Sequence, residues 1–252
     1  MNEEECVCEV AQEINEVMDA WPWIWECLWV NDGSTDGTLQ VLKQITQESR
    51  NHRFIDLNGH FGQSAALVAG FMCARGKLIA TLDGDGQNDP HDLPSLIERL
   101  LDGSVDMVNG VRTKRQDNLV RRISSHIANG FRNWFTQEQI PDVGCSIRAF
   151  RRECVKGLPV FKGLHRFLPT LVRMKGHRIV EVSVNHRPRI RGKTKYGIHD
   201  RLWVGLADTF AVCWMKRRLV WPSVRRTSGP KAEEVGRSKI ASKSSLPLHL
   251  NN

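Results

Sequence analysis

The sequence predicts an α/β fold in which helices cover both faces of a mostly parallel central sheet. Strand-like apolar runs alternate with helix-like segments between residues 23 and 110. This alternation is typical of parallel sheets, because each crossover between parallel strands needs a long connection. Polar, glycine-containing turns follow two of the runs, at residues 31–38 and 83–90. Since open α/β sheets bind ligands beyond the carboxyl ends of their strands, we expect a site at these turns.

Hydrophobic spacing predicts the elements in chain order. Helical spacing of apolar residues predicts helices over residues 3–20, 38–49, 64–75, 94–101, 166–175 and 202–219, and residues 111–135 are basic and also helical. Strand-like runs cover residues 23–30, 54–57, 78–82, 106–110, 146–150 and 178–186. A nucleotide-binding half of a doubly wound sheet normally opens on a strand. Here a helix comes first, so either the fold starts unusually or its first strand is missing.

Length and composition indicate one globular domain followed by a tail. The chain has 252 residues, of which 40% are hydrophobic and 25% charged. We assign residues 1–220 to the domain and the basic residues 221–252 to a disordered tail. The seven cysteines lack paired metal-ligand spacing, which indicates reduced thiols in a cytosolic protein. We expect neither a signal peptide nor a membrane-spanning helix, which needs roughly 18 uncharged apolar residues.

The net charge of +8 is compatible with several anionic partners. Nucleic acid, an anionic membrane surface and phosphorylated substrates all attract basic proteins. We exclude nucleic acid, because no nucleic-acid module is recognisable and aromatic residues do not alternate with the basic ones.

The acidic turn after residues 78–82 carries the strongest chemical signal. Asp83 and Asp85 lie two residues apart, so extended geometry would direct both carboxylates to the same side. Together with the Gln87 amide, these oxygen donors suit Mg²⁺ or Mn²⁺ carrying phosphate oxygens. An acidic turn that only ends a strand would contain the same Asp-Gly-Asp triplet, so the context has to decide.

Four ordered motifs supply that context, at residues 30–38, 82–90, 142–152 and 186–196. Their order and spacing resemble family 2 glycosyltransferases of the dolichyl- or polyprenyl-phosphate sugar transferase type, over about residues 2–218. The resemblance implies a Rossmann-like GT-A fold. It also implies a UDP- or GDP-sugar donor, a divalent metal, a polyprenyl or dolichyl phosphate acceptor and a role in building the cell envelope.

The resemblance also implies roles for individual residues. The nucleotide-sugar donor would be bound by Glu3, Asp32, Asp83, Arg112, Arg189 and Lys195, of which the last two lie on a loop that closes over the phosphates. The metal would be held by Asp83, Asp85 and Gln87, and the acceptor phosphate by Arg122 and Ser125. Asp85 and Asp142 would be catalytic, Asp142 either as a base or as an orienting group.

Simpler explanations stay open for several of these residues. Asp32 could cap the helix that begins at Thr38, and Ser34 or Asp36 could do so equally well. Arg112 and Arg122 could belong to a solvated basic helix face. Gln87 could be a solvated turn residue, and Asp142 a turn aspartate after a proline. We interpret His165 and His186 as packing or surface residues rather than metal ligands.

The expected reaction is one displacement at the anomeric carbon, which inverts its configuration. The acceptor phosphate is the nucleophile and is already anionic at neutral pH, because its second pKa lies near 6. A strong general base is therefore not required.

Two features depart from the family pattern. Asn31 stands where the family usually has a first aspartate, so we rely on Asp32 for the nucleoside. The family opens with a strand ending in Pro-x-x-Asn-Glu, whereas here Asn2-Glu3 follow the initiator directly. Our hypothesis is a start site placed too late or a truncated copy, in which loss of a mid-sheet strand leaves two unpaired edges.

The helix at residues 202–219 is apolar and ends in Lys216-Arg217-Arg218. It fits a helix lying in the membrane plane, although a core helix covering the sheet would look similar. We therefore expect a protein peripheral to the cytoplasmic face of a membrane. The alternatives are a soluble transferase with a small acceptor and a truncated, non-catalytic remnant. The sugar, the nucleotide and the polyprenol stay open.

Overall fold

The computed structural model describes residues 1–112, 130, 142, 144–188 and 198–221. The strands are β1 Cys27–Asn31, β2 His52–Asp56, β3 Leu78–Thr81, β4 Met107–Arg112, β5 Arg148–Arg151 and β6 Ile179–Val184. The helices are α1 Glu4–Asp19, α2 Thr38–Glu48, α3 Gln63–Cys73, α4 Leu93–Leu101, α5 Arg152–Val155, α6 Leu164–Met174 and α7 Ile198–Arg218. A 3-10 turn, Pro90–Asp92, precedes α4.

The strands form two groups. β1 pairs in parallel with β2, and the other four strands follow the order β3-β5-β4-β6. β4 and β6 are parallel, whereas β5 runs antiparallel to both of its neighbours. β3 and β4 therefore point the same way on either side of β5, and their carboxyl ends meet at one edge of the sheet. The prediction of a mostly parallel sheet is right for β1 with β2 and for β4 with β6, which pair in parallel. β5 is the exception, because it is antiparallel to both of its neighbours.

The sheet is interrupted between β1 and β3. Within the described residues no hydrogen-bonded ladder joins these two strands. Each of them has a strand partner on one side only, β2 for β1 and β5 for β3. The hypothesis that a mid-sheet strand has been lost stays a prediction.

Helices cover both faces of the four-stranded group. In β4, Met107 and Val108 are both fully buried but point to opposite faces, because strand side chains alternate. Val108 packs in a core with residues of α1 and α4, including Ile14 and Leu96. Met107 packs in a second core with residues of α3, α6 and α7, namely Phe71, Leu168, Leu171 and Val212. The predicted covering of both faces is confirmed.

Helix α1 belongs to two cores at once. Val7 and Ala11 pack against Leu42 and Ile45 of α2 in a third core, beneath β1 and β2. Val10, Ile14, Val17 and Met18 lie on the neighbouring face of α1 and join the core that contains β4. Because residues three and four apart share a helix face, one helix presents both stripes. α1 therefore holds the two groups of strands together across the interruption.

Some predicted boundaries were wrong or lie outside the described residues. β1 begins at Cys27 rather than residue 23, because Trp23 and Ile24 are 58% and 105% exposed and precede the ladder with β2. Most of the predicted helix at residues 111–135, the turn at residues 189–195 and the tail from residue 222 lie outside the described residues. None of the helices in the described part of the chain is long and apolar enough to cross a membrane.

Candidate active site

A polar cavity of about 160 Å³ lies at the carboxyl ends of β3 and β4. Its wall is formed by Asp83, Asp85, Gln87, Asn88, Arg112, Gly144, Ser146 and His186. Four of these residues were predicted to bind metal or donor, namely Asp83, Asp85, Gln87 and Arg112. The structure therefore brings together motifs that are separated by up to a hundred residues in the chain.

Asn88 and Ser146 fix the acidic loop to the segment that enters β5. Asn88 Oδ1 accepts hydrogen bonds from the Asp83 backbone N–H at 2.9 Å and from the Ser146 hydroxyl at 2.8 Å. Inside the loop, Asp85 Oδ1 accepts from the Gln87 backbone N–H at 3.2 Å. The loop conformation is therefore set by its own side chains and by contacts to distant segments, of which the bond from Ser146 is one.

Asp83 lies beside a second carboxylate, Asp85, on the cavity wall. Removal from water, reinforced by the negative charge of Asp85, raises the pKa of the Asp83 carboxyl. Ser146, the positive charge of Arg148 and Gln63 act in the opposite direction. Two carboxylates that repel each other in a cavity partly removed from water favour a divalent cation, because its positive charge offsets the negative charge of both.

Arg112 and Asp142 form a bidentate pair at the cavity wall. Arg112 Nε donates to Asp142 Oδ2 at 2.7 Å, and Arg112 Nη2 donates to Asp142 Oδ1 at 2.8 Å. The backbone N–H of Gly144 adds a third bond to Asp142 Oδ1 at 3.1 Å. A Cβ on Gly144 would lie 2.8 Å from Arg112 Nη2, so a larger residue there would have to displace the guanidinium. Of the two predicted roles for Asp142, this geometry favours the orienting one.

Asp32 lies at the end of β1 and organises the loop before α3. Its two carboxylate oxygens accept from the backbone N–H groups of Phe61 at 2.8 Å and Gly62 at 2.9 Å, and His60 Nδ1 lies 2.8 Å from Oδ2. At the far end of this loop, Gln63 Nε2 donates to Asp83 Oδ1 at 3.0 Å. The loop therefore connects the predicted nucleoside side of the site with the predicted metal side.

Of the predicted alternatives for capping α2, Asp36 is the one that bonds to the first residue of the helix, although Gly37 occupies the N-cap position. Asp36 Oδ1 accepts from the Thr38 backbone N–H at 3.1 Å, at the start of that helix. Burial alone would raise the pKa of Asp36, but the bonds from Thr38 and from the Glu4 backbone N–H outweigh it and lower the pKa. Glu3 lies next to this turn, with its backbone N–H bound to Thr38 Oγ1 at 3.0 Å.

Arg148 is a buried cation that the sequence analysis left without a role. It is 3% exposed, its Nε donates to Asn109 Oδ1 at 2.8 Å and its Nη1 donates to the His165 carbonyl at 2.7 Å. Burial, followed by the charges of Arg166 and Arg148, lowers the pKa of His165 to about 4, so this histidine is neutral at physiological pH. An arginine directly beside the apolar pair Ala149 and Phe150 of β5 is the signal that could have pointed to it.

The remaining predicted residues divide into two groups. Arg122, Ser125, Arg189 and Lys195 lie outside the described residues, so their roles stay predictions. His186, interpreted from the sequence as a packing or surface residue, lies instead on the cavity wall. Asn88 and Ser146 were present in the motifs, but their roles depend on a contact between distant segments that no local pattern reveals.

Comparison with known proteins identifies the family. The pattern of the family described as "Glycosyl transferase family 2" matches residues 2–158. The dodecaprenyl-phosphate galacturonate synthase of Rhizobium johnstonii is 38% identical over 220 residues, which are 86% of this chain and 65% of that protein. The undecaprenyl-phosphate 4-deoxy-4-formamido-L-arabinose transferase of Salmonella choleraesuis is 35% identical over 77% of this chain and 60% of that protein. The chain thus spans less than two thirds of the length of these relatives.

Solved structures agree on the fold. Glucosyl-3-phosphoglycerate synthase from Mycobacterium tuberculosis, in complex with Mn²⁺, UDP-glucose and phosphoglyceric acid, superimposes with a TM-score of 0.65. The match covers 90% of this chain and 80% of that one at 19% identity, and it confirms the predicted GT-A fold. Together with the family match over more than half of the sequence, this shows that the chain belongs to glycosyl transferase family 2.

Proposed function

We propose that this protein transfers a sugar from a nucleotide-sugar donor to a polyprenyl phosphate. The observation that carries the proposal is the cavity in which Asp83, Asp85, Gln87 and Arg112 converge. Two carboxylates face a fixed arginine there, which is the arrangement needed to hold a cation and a diphosphate together. The two relatives described above are named for sugar transfer to dodecaprenyl or undecaprenyl phosphate.

The donor set in the cavity fits Mg²⁺ or Mn²⁺. Asp83 and Asp85 offer carboxylate oxygens and Gln87 an amide oxygen, and His186 on the same wall offers an imidazole nitrogen. Burial and the charge of Asp85 raise the pKa of Asp83, and a bound cation would offset both effects. When bound, the cation would offset negative charge on the departing diphosphate.

The protein's own residues position the reactants. Arg112, held by Asp142, presents a fixed positive charge to the phosphates. A phosphate oxygen of the acceptor forms the new bond to the anomeric carbon as the bond from that carbon to the diphosphate breaks. The bonding electron pair leaves with the nucleoside diphosphate, and the single displacement inverts the anomeric centre. The predicted closing loop with Arg189 and Lys195 would add charge to the same leaving group.

A membrane surface is the proposed source of the acceptor. On α7, Phe210 and Trp214 lie four residues apart on one face and are 53% and 63% exposed, and the helix ends in Lys216-Arg217-Arg218. The opposite side of α7 is docked on the domain, because Asp208 pairs with Nη2 of Arg166 at 2.8 Å and Val212 is buried. An apolar stripe with a basic end fits the interface of an anionic membrane, at its cytoplasmic face.

Two linked measurements test the proposal. Calorimetric titration with UDP- and GDP-sugars in the presence of Mn²⁺ is expected to reveal one tight donor and so to identify the base. The matching labelled sugar is then offered with undecaprenyl phosphate or with phosphoglyceric acid, and transfer to the lipid alone is expected. Transfer only to phosphoglyceric acid would establish a soluble transferase with a small acceptor. Failure of every donor to bind would indicate a non-catalytic remnant.

A further inference from the structure

Next to His186 on the cavity wall, Arg187 connects its own segment with helix α1 and with the acidic loop. Arg187 Nη1 donates to both carboxylate oxygens of Glu13 on α1, each at 2.8 Å. Arg187 Nη2 donates to Asp89 Oδ1, at the end of the acidic loop, at 2.9 Å. The Arg187 side chain is 33% exposed, and those of Glu13 and Asp89 are 27% and 15% exposed. Three charge-assisted bonds in a partly shielded place hold the guanidinium more firmly than a surface ion pair would.

The backbone of the same segment pairs with the acidic loop. The Arg187 N–H donates to the Gln87 carbonyl at 2.9 Å, and Asn88 and His186 form an antiparallel β-bridge. Arg187 therefore binds the residues on both sides of Asn88, one through its backbone and the other through its side chain. The side chains of Gln87 and His186 line the cavity immediately beside these contacts.

The acidic side chains here do not form a second metal site. Glu13, Asp89 and His91 offer ligand atoms within 4.8 Å of one another. The guanidinium of Arg187 already binds two of the three, and His91 Nδ1 lies 2.9 Å from Asp89 Oδ1. The guanidinium of Arg187 thus already neutralises the carboxylates of Glu13 and Asp89, which a metal ion would otherwise do.

We propose that Arg187 is a positioning residue for the metal site, which it serves by fixing Gln87 and His186 against the acidic loop. The inference rests on the proposed metal role of Asp83, Asp85 and Gln87. Groups that orient metal ligands from outside typically change metal affinity about 10- to 100-fold when they are replaced. Hydrogen bonding to Glu13 raises the pKa of Arg187 further, so its guanidinium stays charged at every physiological pH.

Mn²⁺ binding, followed by the electron paramagnetic resonance signal of the free ion, tests the proposal without any assay of transfer. R187Q removes the charge and is expected to weaken Mn²⁺ binding about tenfold. R187K keeps the charge but cannot reach both carboxylates, so its affinity should lie between R187Q and the wild type.

Arg53→Gln is the matched control. Arg53 pairs with Glu26 at 2.6 Å with side-chain exposures of 32% and 21%, close to those of Arg187 and Glu13, but it lies at the amino end of β2. R53Q removes an equally exposed ion pair at the opposite edge of the sheet, and its Mn²⁺ affinity should equal that of the wild type. Thermal unfolding of all variants shows whether they are folded during the titration.

The outcomes separate this inference from the proposed function. Wild-type binding by R187Q overturns the positioning role and leaves the metal site intact. Equal losses in R187Q and R53Q also overturn it, because they would show a general response to losing an ion pair. If R187Q does not fold, E13Q and R187K decide the question, and wild-type affinity in both overturns the role. Failure of the wild-type protein to bind Mn²⁺ overturns the metal site and the positioning role together.

Discussion

Asn31 shows how a single amide changes the charge balance at the end of β1. Its Nδ2 donates to Asp56 Oδ1 at 2.7 Å, and its Oδ1 accepts from the Ser34 backbone N–H at 3.3 Å. Asn31 is 3% exposed, whereas Asp56 at the end of β2 is exposed, so the contact between them is only partly shielded from water. An aspartate here, as the family pattern usually has, would set a second carboxylate against Asp56. The departure from that pattern therefore has a local physical reason.

The Asn31→Asp substitution should destabilise the protein by about 1–3 kcal/mol, because a buried donor is replaced by a like charge. Urea unfolding of N31D measures this loss. In the double variant N31D/D56N, the amide at position 56 can donate to the carboxylate at position 31, so most of the stability should be recovered. An N31D protein as stable as the wild type would contradict the pairing with Asp56.

Replacement of Asp85 tests the chemistry of the cavity. Asp85→Asn keeps the size of the side chain but removes one of the two charges, so Mn²⁺ affinity should fall at least tenfold and sugar transfer should be lost. Titration with Mn²⁺ and a transfer assay measure the two effects. Asp19→Asn, at an exposed position ending α1, is the control and should change neither. Retained metal-dependent transfer in D85N would disprove the assignment.

The raised pKa of Asp83 predicts a pH dependence of metal binding. A carboxyl with a raised pKa keeps its proton at pH values where an ordinary aspartate, with a pKa of about 3.9, is ionised. Protons therefore compete with the cation, and affinity should already fall with pH in the range above about 3.9, where an ordinary aspartate stays ionised. Binding should also release protons, detectable as a dependence of the calorimetric enthalpy on the buffer. Affinity that stays constant over this range would contradict the expected competition.

At the scale of elements, the interrupted sheet should show unequal protection along its strands. β4 has ladders on both sides, with β5 and β6, whereas β1 and β3 each have one described strand neighbour. In a strand with one neighbour, roughly every second N–H points away from its ladder. Hydrogen–deuterium exchange should therefore be slowest in peptides covering residues 107–111 and faster in those covering 27–31 and 78–81. Equal protection of all three would show that the edges of β1 and β3 are covered.

Helix α1 explains why the interruption does not divide the domain. Its two apolar stripes join the core beneath β1 and β2 to the core beneath β4. Glu13 on the same helix binds Arg187, which in turn binds the acidic loop. The helix thus links the packing of the domain to the geometry of the cavity.

At the scale of the whole molecule, net charge and the exposed stripe of α7 predict binding to anionic vesicles. The protein carries a charge of +8, and each basic residue near an anionic surface contributes about 1 kcal/mol. The protein should float with phosphatidylglycerol vesicles at low salt and should be released at high salt, because salt screens the attraction.

The tryptophans offer a matched pair for this flotation experiment. Trp214→Ser on α7 should weaken the association, whereas Trp23→Ser should not, although the two side chains are 63% and 58% exposed. Equal losses in both variants would show that α7 is not the contact. No flotation of the wild-type protein at low salt would point to an acceptor outside the membrane.

Most of the fold was predictable because local sequence encodes it. Hydrophobic spacing placed every described helix except the short α5 to within a few residues. The strand-to-turn junctions pointed to the edge of the sheet at which the cavity lies. The start of β1 was wrong, because Trp23 and Ile24 are apolar residues that the ladder with β2 does not reach. Apolar character alone does not tell a strand from an exposed turn that leads into one.

The sequence by itself determined the α/β class, the family and the acidic loop, since these depend on residue type and spacing along the chain. Only the tertiary structure decided which partner each side chain has. It paired Arg112 with Asp142, placed His186 on the cavity wall and tied Arg187 to Glu13, 174 residues earlier. Such contacts depend on how separate elements pack, and the free energy of packing is a property of the whole fold rather than of any local stretch.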